Sequence, residues 1–343
     1  MKIIRSESHR LHFPKGELYG GELVRPFECP ERWDYIVSQL QQRGYGDFAD
    51  PGEFNVDLVQ KVHSPDFVEF LETAWSEWSR EDMNGDAIPS VFPARRMQQR
   101  VPHHIDGKLG YYCMAIETAI TSGTWDAVKS SAACAMTAQQ HVGDDNLAFA
   151  LCRPPGHHAG IDLYGGYCFL NNAAIATQAF IDDGAKRVAL LDVDFHHGNG
   201  SQDIFYQRDD VLFLSLHGQP EDAFPHFLGY QDETGGNTGE GYNVNYPLPP
   251  GTPYDVWGAA LDDACKRIEA YAPDALVVSL GVDTFENDPI SFFKLKSDDF
   301  TRYGGRIGRL KLPTLFVMEG GYAVSEIGVN TVNVLDGFRS THL

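Results

Sequence analysis

Apolar residues run together without alternation at 147–151, 188–193, 211–216, 276–282 and 314–318. Runs this short, bounded by polar or glycine-bearing sequence, predict strands buried on both faces, the pattern of a parallel sheet with helical crossovers. Between them, apolar positions recur at helical spacing over 125–141, 171–183, 254–271 and 297–310. Earlier in the chain the same spacing predicts helices at 32–42 and 65–78. A short β-like start at Lys2–Ile4 precedes polar sequence that reads as loop to about Glu31. Strands alternating with helices predict an α/β fold whose central, mostly parallel sheet carries helices on both faces. No internal repeat and no Pro/Ser-rich linker divides the pattern, so a single domain is expected over 1–343.

The pattern fails at 79–106, which holds three prolines and no sustained period. A loop of that length within a compact domain is usually functional or mobile. Its ARRMQQR stretch, 94–100, is a basic island that reads either as solvated loop or as a contact surface for an acidic partner.

Charge narrows the partners. The chain carries 48 acidic side chains against 27 Lys plus Arg, a formal charge of −21. Such a field repels nucleic-acid phosphates and concentrates cations, so any charged substrate should be positive. No apolar run approaches the ~20 residues of a membrane helix, and Met1 leads into Lys2-Ile3-Ile4-Arg5 with no signal-like apolar stretch behind it. A cytoplasmic protein without membrane or nucleic-acid partners is therefore expected. The six cysteines are dispersed with no CxxC pair, which reads as reduced thiols.

In open α/β sheets ligands bind beyond the carboxyl ends of the strands. Four predicted strands end there in polar sequence: CRPPGHH (152–158), LDVDFHHGNG (191–200), LGVDTFENDP (280–289) and MEGGY (318–322). Asp194 and His196 are two apart on extended chain and can face one side, and Asp283 can close the set. Two carboxylates and an imidazole suit Zn²⁺ with a position left open, and Fe²⁺, Co²⁺ or Mn²⁺ also fit. Either aspartate alone would be a helix cap or a turn; the three residues together argue for a metal. Histidines 157 and 158 follow a rigid Pro-Pro-Gly turn. Tyr322 follows two glycines that permit close backbone approach, and its hydroxyl can donate to a developing oxyanion. Alone, the His pair reads as surface loop and GGY as a flexible turn.

The segments RPPGHHAG, GGYCFLNNAA, LDVDFHHGNG, SLHG, SLGVDTFENDPI and EGGY, in this order, resemble the zinc-dependent deacetylases of the arginase/deacetylase fold. ELYGGEL near the start and GYYC after the long loop are more similar to the bacterial acetylpolyamine amidohydrolase branch. The resemblance implies that Asp194, His196 and Asp283 bind zinc, that His157 and His158 form the catalytic pair, and that Tyr322 polarises the carbonyl. It pairs Asp192 with His157, and Asn199 with His158 where many lysine deacetylases carry an aspartate. A carboxylate partner favours imidazolium at His157, and a neutral amide leaves His158 free to act as general base and then acid. The resemblance also implies K⁺ near Asp192, Asp194, His196, Ser215 and Leu216. It makes Tyr167 and Phe224 tunnel walls, with Gly166 among the substrate contacts and Ile290 near the mouth. Asp106 and Glu117 are expected to bind the distal ammonium, although each also reads plainly as a helix cap or surface charge. The 79–106 loop is expected to shape the entrance and form a homodimer.

Three rivals follow. A binuclear manganese ureohydrolase would need further aspartates where Gly198 and Gly281 stand. A protein or peptide acetyl-lysine deacetylase shares all the motifs. A binding module without turnover would lack a ligand or the phenol, and every such position is filled.

Overall fold

The structure, a computed structural model, describes residues 1–342. Its strands are β1 (Lys2–Ile4), β2 (Glu17–Tyr19), β3 (Glu22–Val24), β4 (Phe48–Ala49), β5 (Leu147–Ala150), β6 (Val188–Asp192), β7 (Val211–Gly218), β8 (Asn243–Leu248), β9 (Ala275–Leu280) and β10 (Thr314–Met318). Its helices are α1 (Pro30–Gln42), α2 (Val56–Val59), α3 (Pro65–Arg80), α4 (Ile105–Tyr112), α5 (Thr124–Gln140), α6 (Val142–Asp145), α7 (Asn172–Asp182), α8 (Asn199–Phe205), α9 (Tyr254–Tyr271), α10 (Ser297–Gly308) and α11 (Val324–His342). Eight strands make one sheet in the order β4-β1-β5-β10-β9-β6-β7-β8, every pair parallel. The remaining two, β2 and β3, form a separate antiparallel hairpin.

The apolar runs become strands because both faces are covered. Along β6, Val188 and Leu190 join the core packed under α3, α4, α5 and α7. Ala189 and Leu191 join the opposite core with α1, α9, α10 and α11. Each large apolar side chain so buried contributes about 1.5–3 kcal/mol. Helix start signals also hold locally: prolines open α1 and α3, and the Asn171 side chain caps α7 by accepting from Ala174 N–H.

Three segments depart from the expected pattern. The polar stretch before Glu31 is not all loop: it contains a 3₁₀ turn at Glu7–Leu11 and the β2–β3 hairpin. Strand β8 was hidden because its inward positions are Asn243 and Asn245, whose amides donate to Gln202 Oε1 at 2.9 Å. Helix α11 is rich in β-branched residues and holds two glycines, all of which lower helix propensity, and it forms through packing on α10 and α1. Gly337 lies so close to α10 that a Cβ there would fall 2.1 Å from the Thr301 carbonyl oxygen. The 79–106 loop is shorter than expected, since α3 runs to Arg80 and α4 starts at Ile105. Among the described residues no helix is long and apolar enough to cross a membrane.

Candidate active site

The four polar segments leave β5, β10, β9 and β6, which are consecutive neighbours at the centre of the sheet. Adjacency of the strands brings their carboxyl ends to one place. Asp194, His196 and Asp283 offer ligand atoms within 4.8 Å of one another. His196 Nδ1 lies 2.9 Å from Asp283 Oδ2 and 3.3 Å from Asp194 Oδ1. Both carboxylates are fully buried, and burial together with the neighbouring Asp194 charge pushes the Asp283 carboxyl up to about 8. A buried pair of like charges turned toward one imidazole fits a divalent cation better than it fits a closed hydrogen-bond network.

The glycines around this cluster are fixed by space. A Cβ on Gly281 would sit 2.0 Å from Asp194 Oδ2, and one on Gly198 would sit 2.1 Å from Asp192 Oδ2. A second pair of metal-binding side chains at these two positions is therefore sterically excluded in this backbone. Gly320 N–H donates to Asp194 Oδ2 at 2.8 Å, and a Cβ there would lie 3.2 Å from the Tyr322 hydroxyl oxygen. The phenol thus stands beside the carboxylate pair.

His157 and His158 are held from behind. Glu319 accepts from the N–H groups of Gly156 and His157, at 2.7 and 3.1 Å. The His157 carbonyl receives Gly200 and Ser201 N–H from the first turn of α8. His157 Nδ1 meets Asp192 Oδ2 at 2.9 Å. Burial alone would lower its pKa, but the Asp194 and Asp192 carboxylates outweigh burial and raise it to about 10. His158 Nδ1 meets Asn199 Oδ1 at 2.7 Å, and Asn199 Nδ2 donates to the His158 carbonyl at 3.2 Å. That second bond orients the amide, so His158 Nδ1 is the donor and Nε2 keeps its lone pair. Burial, with the charges of His157 and His196, holds the His158 pKa well below the usual imidazole range. Burial keeps the Tyr322 phenol protonated by pushing its pKa well above the usual value.

Above this base opens a cavity of about 360 Å³. His158, His196 and Tyr322 line its inner part, with Tyr167, Phe224, Gly166 and Ile290 around them. Gly166 (φ +58°) packs so tightly on His158 that a Cβ would fall 2.3 Å from its ring. Glu117 also lines the cavity, accepting Gly166 N–H at 2.9 Å. Asp106 is not among the lining residues: it sits in the first turn of α4 and accepts from Ser90 Oγ at 2.9 Å. Asp192 and Ser215 are register partners on β6 and β7, and Leu216 follows on β7.

Some site residues carried no role in the sequence reading. Glu17, 2% exposed, lines the cavity and accepts from the Tyr167 hydroxyl at 3.1 Å. Its signal was the ELYGGEL segment. Arg32 donates to the Glu319 and Gly321 carbonyls at 2.5 and 2.7 Å and lies over the Tyr322 ring at 5.0 Å. Asp288, inside the ENDP run, accepts Tyr322 N–H.

Residues 26–338 match the family described as the histone deacetylase domain. The chain is 55% identical to the acetylpolyamine amidohydrolase of Mycoplana ramosa, over 98% of this chain and 99% of that one. It is also 55% identical to acetylpolyamine amidohydrolase 1 of Pseudomonas aeruginosa, over 99% of each. The crystal structure of acetylpolyamine aminohydrolase from Burkholderia pseudomallei superposes with a TM-score of 0.94 at 37% identity, covering 99% of both chains.

Proposed function

The chain belongs to the histone deacetylase domain family, and we propose that it hydrolyses the acetyl amide of acetylated polyamines, giving acetate and the free amine. Acetylputrescine, acetylcadaverine and acetylspermidine define the substrate class. One observation carries the reading: three carboxylates, Glu17, Glu117 and Asp222, stand in the wall of a largely apolar and aromatic cavity that reaches His196 of the metal-competent triad. An alkyl chain desolvates against Tyr167, Phe224 and Ile290, and a protonated amine finds negative charge. The full-length similarity to enzymes named for acetylpolyamines supports the same class.

Asp194, His196 and Asp283 would hold the divalent ion, Zn²⁺ by the donor set, with Fe²⁺, Co²⁺ or Mn²⁺ as substitutes. When bound, such an ion supplies Lewis acidity and makes neighbouring water more acidic. The chain's own groups do the rest. His158 Nε2 accepts the proton of the attacking water and passes it to the amine nitrogen as the C–N bond breaks. The Tyr322 hydroxyl donates to the acetyl oxygen as charge gathers there. His157 stays protonated against Asp192 and contributes positive charge. We assign K⁺ to the backbone and side-chain oxygens around Asp192, Asp194, His196, Ser215 and Leu216; elemental analysis of the purified chain reads both ions.

A homodimer through 79–106 and a cytoplasmic setting complete the reading. The exposed Arg95, Arg96 and Arg100, with half-exposed Val91 and Met97 beside them, support the first. Six buried, unpaired cysteines support the second. Sedimentation of an Arg95/Arg96/Arg100 charge-reversed chain tests the dimer, which should dissociate.

The deciding experiment compares kcat/KM for acetylputrescine, acetylcadaverine, acetylspermidine and an acetyl-lysine peptide on the metal-loaded chain. Preference for the small amines by at least roughly tenfold is expected, a gap of about 1.4 kcal/mol in transition-state binding. Preference for the peptide would replace this reading with protein deacetylation.

A further inference from the structure

The Tyr322 turn has no regular structure of its own. It leaves β10 through Gly320 and Gly321, the latter at φ +128°, and α11 begins only at Val324. A phenol on two glycines is free to swing unless something outside the turn fixes it. From one side Arg32 binds the Glu319 and Gly321 carbonyls. From the other side stands Asp288, 6% exposed. Its Oδ2 accepts Tyr322 N–H at 2.7 Å and Ala323 N–H at 3.2 Å, while Oδ1 accepts Ile290 N–H at 3.1 Å. Both oxygens of one carboxylate are therefore spent on backbone of two different loops. One loop carries the phenol; the other carries Asp283 at its start and the cavity-lining Ile290 at its end.

We propose that Asp288 is a positioning residue, whose carboxylate clamps the Tyr322 turn to the loop bearing Ile290 and so holds the phenol where the acetyl oxygen arrives. Asp288 touches no substrate and acts only through Tyr322. Charge-assisted bonds to backbone N–H groups are about twice as strong as neutral ones, and the carboxylate lies just ahead of the first turn of α11, where negative charge is favoured. An amide cannot do this work. A carboxamide side chain has a single acceptor oxygen, so Asp288→Asn must give up either the Tyr322/Ala323 pair or the Ile290 bond, and must place an NH₂ group against a donor.

The inference rests on the reading of Tyr322 as the carbonyl-polarising group, and a double-mutant cycle separates the two. Asp288→Asn, Tyr322→Phe and the double variant are assayed with acetylputrescine, metal content and thermal midpoint being recorded for each. Asp288→Asn should lower kcat by roughly tenfold or more with KM within about threefold, a loss confined to the transition state. In the Tyr322→Phe background the same change should cost less than about twofold, because the hydroxyl it positions is gone. Equal losses in both backgrounds, or a raised KM with kcat kept, would overturn the clamp and leave Asp288 as a general prop of the entrance. If Tyr322→Phe alone keeps wild-type kcat, it is the role of the phenol that fails. Should Asp288→Asn not fold, Asp288→Ser, whose shorter side chain with one oxygen cannot accept from both loops, takes its place in the cycle. There a lower kcat at constant KM supports the clamp, and an unchanged kcat sinks it.

Discussion

At the base of the cavity Asp192, Asp194 and Asp283 are fully buried on the ends of adjacent strands, whereas at its mouth Leu18 and Tyr19 are each 47% exposed. The base is tied by backbone that parallel pairing already orders. Asp194 N–H donates to Asp192, Phe195 N–H to Asp283 and His196 N–H to Asp194. The mouth is assembled from a detached hairpin, a glycine turn and irregular loops, joined by side chains such as Glu17 and Glu117. Changes at the base should therefore abolish chemistry while leaving recognition of the amine, and changes at the mouth should do the reverse.

The largest effect is expected at the base. Asp283→Ala removes one of three metal-competent donors and leaves Asp194 and His196 with too few partners to hold an ion. Activity should fall on the order of 10³-fold or more, since Lewis-acid stabilisation is worth several kcal/mol, and elemental analysis should find the metal lost. Retention of both metal and turnover would remove the triad from the mechanism.

Next in size comes the difference between the two histidines. They share a turn, with ring centroids 4.0 Å apart and the planes tilted by 42°, yet their partners set their protonation apart. Asp192 and Asp194 keep His157 charged, while burial and the His157 charge keep His158 neutral. His158→Ala should lower kcat on the order of 10²-fold and erase the acidic limb of the pH profile of kcat. That limb reports protonation of the base, so activity rises with pH through it in the wild-type chain. His157→Ala should retain the limb at a reduced rate. An acidic limb that survives in His158→Ala and vanishes in His157→Ala would exchange the roles.

The contrast also explains what the sequence made legible. At the base, chemistry is written in short contiguous motifs, because a strand end delivers neighbouring residues to one point. Asp194 with His196, the His pair and the Gly-Gly-Tyr turn could all be read that way. Gly198 and Gly281 were read as missing ligands, and the structure supplies the reason, since neither position has room for a side chain beside Asp192 or Asp194. At the mouth, the contacts join residues 150 positions apart, as in Glu17 with Tyr167, and nothing in local spacing announces them. The buried polar face of β8 and the β-branched α11 were invisible for a related reason. Both are specified by what they pack against rather than by propensity.

The smallest effect, and the one that probes the mouth itself, concerns Glu17. Burial raises its carboxyl from the ordinary 4.5 to about 7, against the hydrogen bonds from Tyr167 and Phe27 N–H, with Glu117 and Glu28 adding repulsion. The folded chain therefore binds this proton more tightly than the unfolded chain does. Between pH 4.5 and about 7 the folded state holds more protons, so this group's contribution to stability is present at low pH and is lost as pH rises through about 7. Ionisation has the opposite effect on recognition, because it adds negative charge to a cavity that takes a cation. KM for acetylputrescine should fall a few-fold, roughly 0.5–1 kcal/mol, as pH rises through about 7, and KM for a neutral N-alkylacetamide of the same length should stay level. Glu17→Gln should flatten the first dependence and leave kcat within about twofold for the neutral amide. It should also reduce the loss of thermal midpoint between pH 5 and 7. If the KM trend persists in Glu17→Gln, another group titrates there, and the burial of Glu17 beside Tyr167 serves the hairpin's attachment alone.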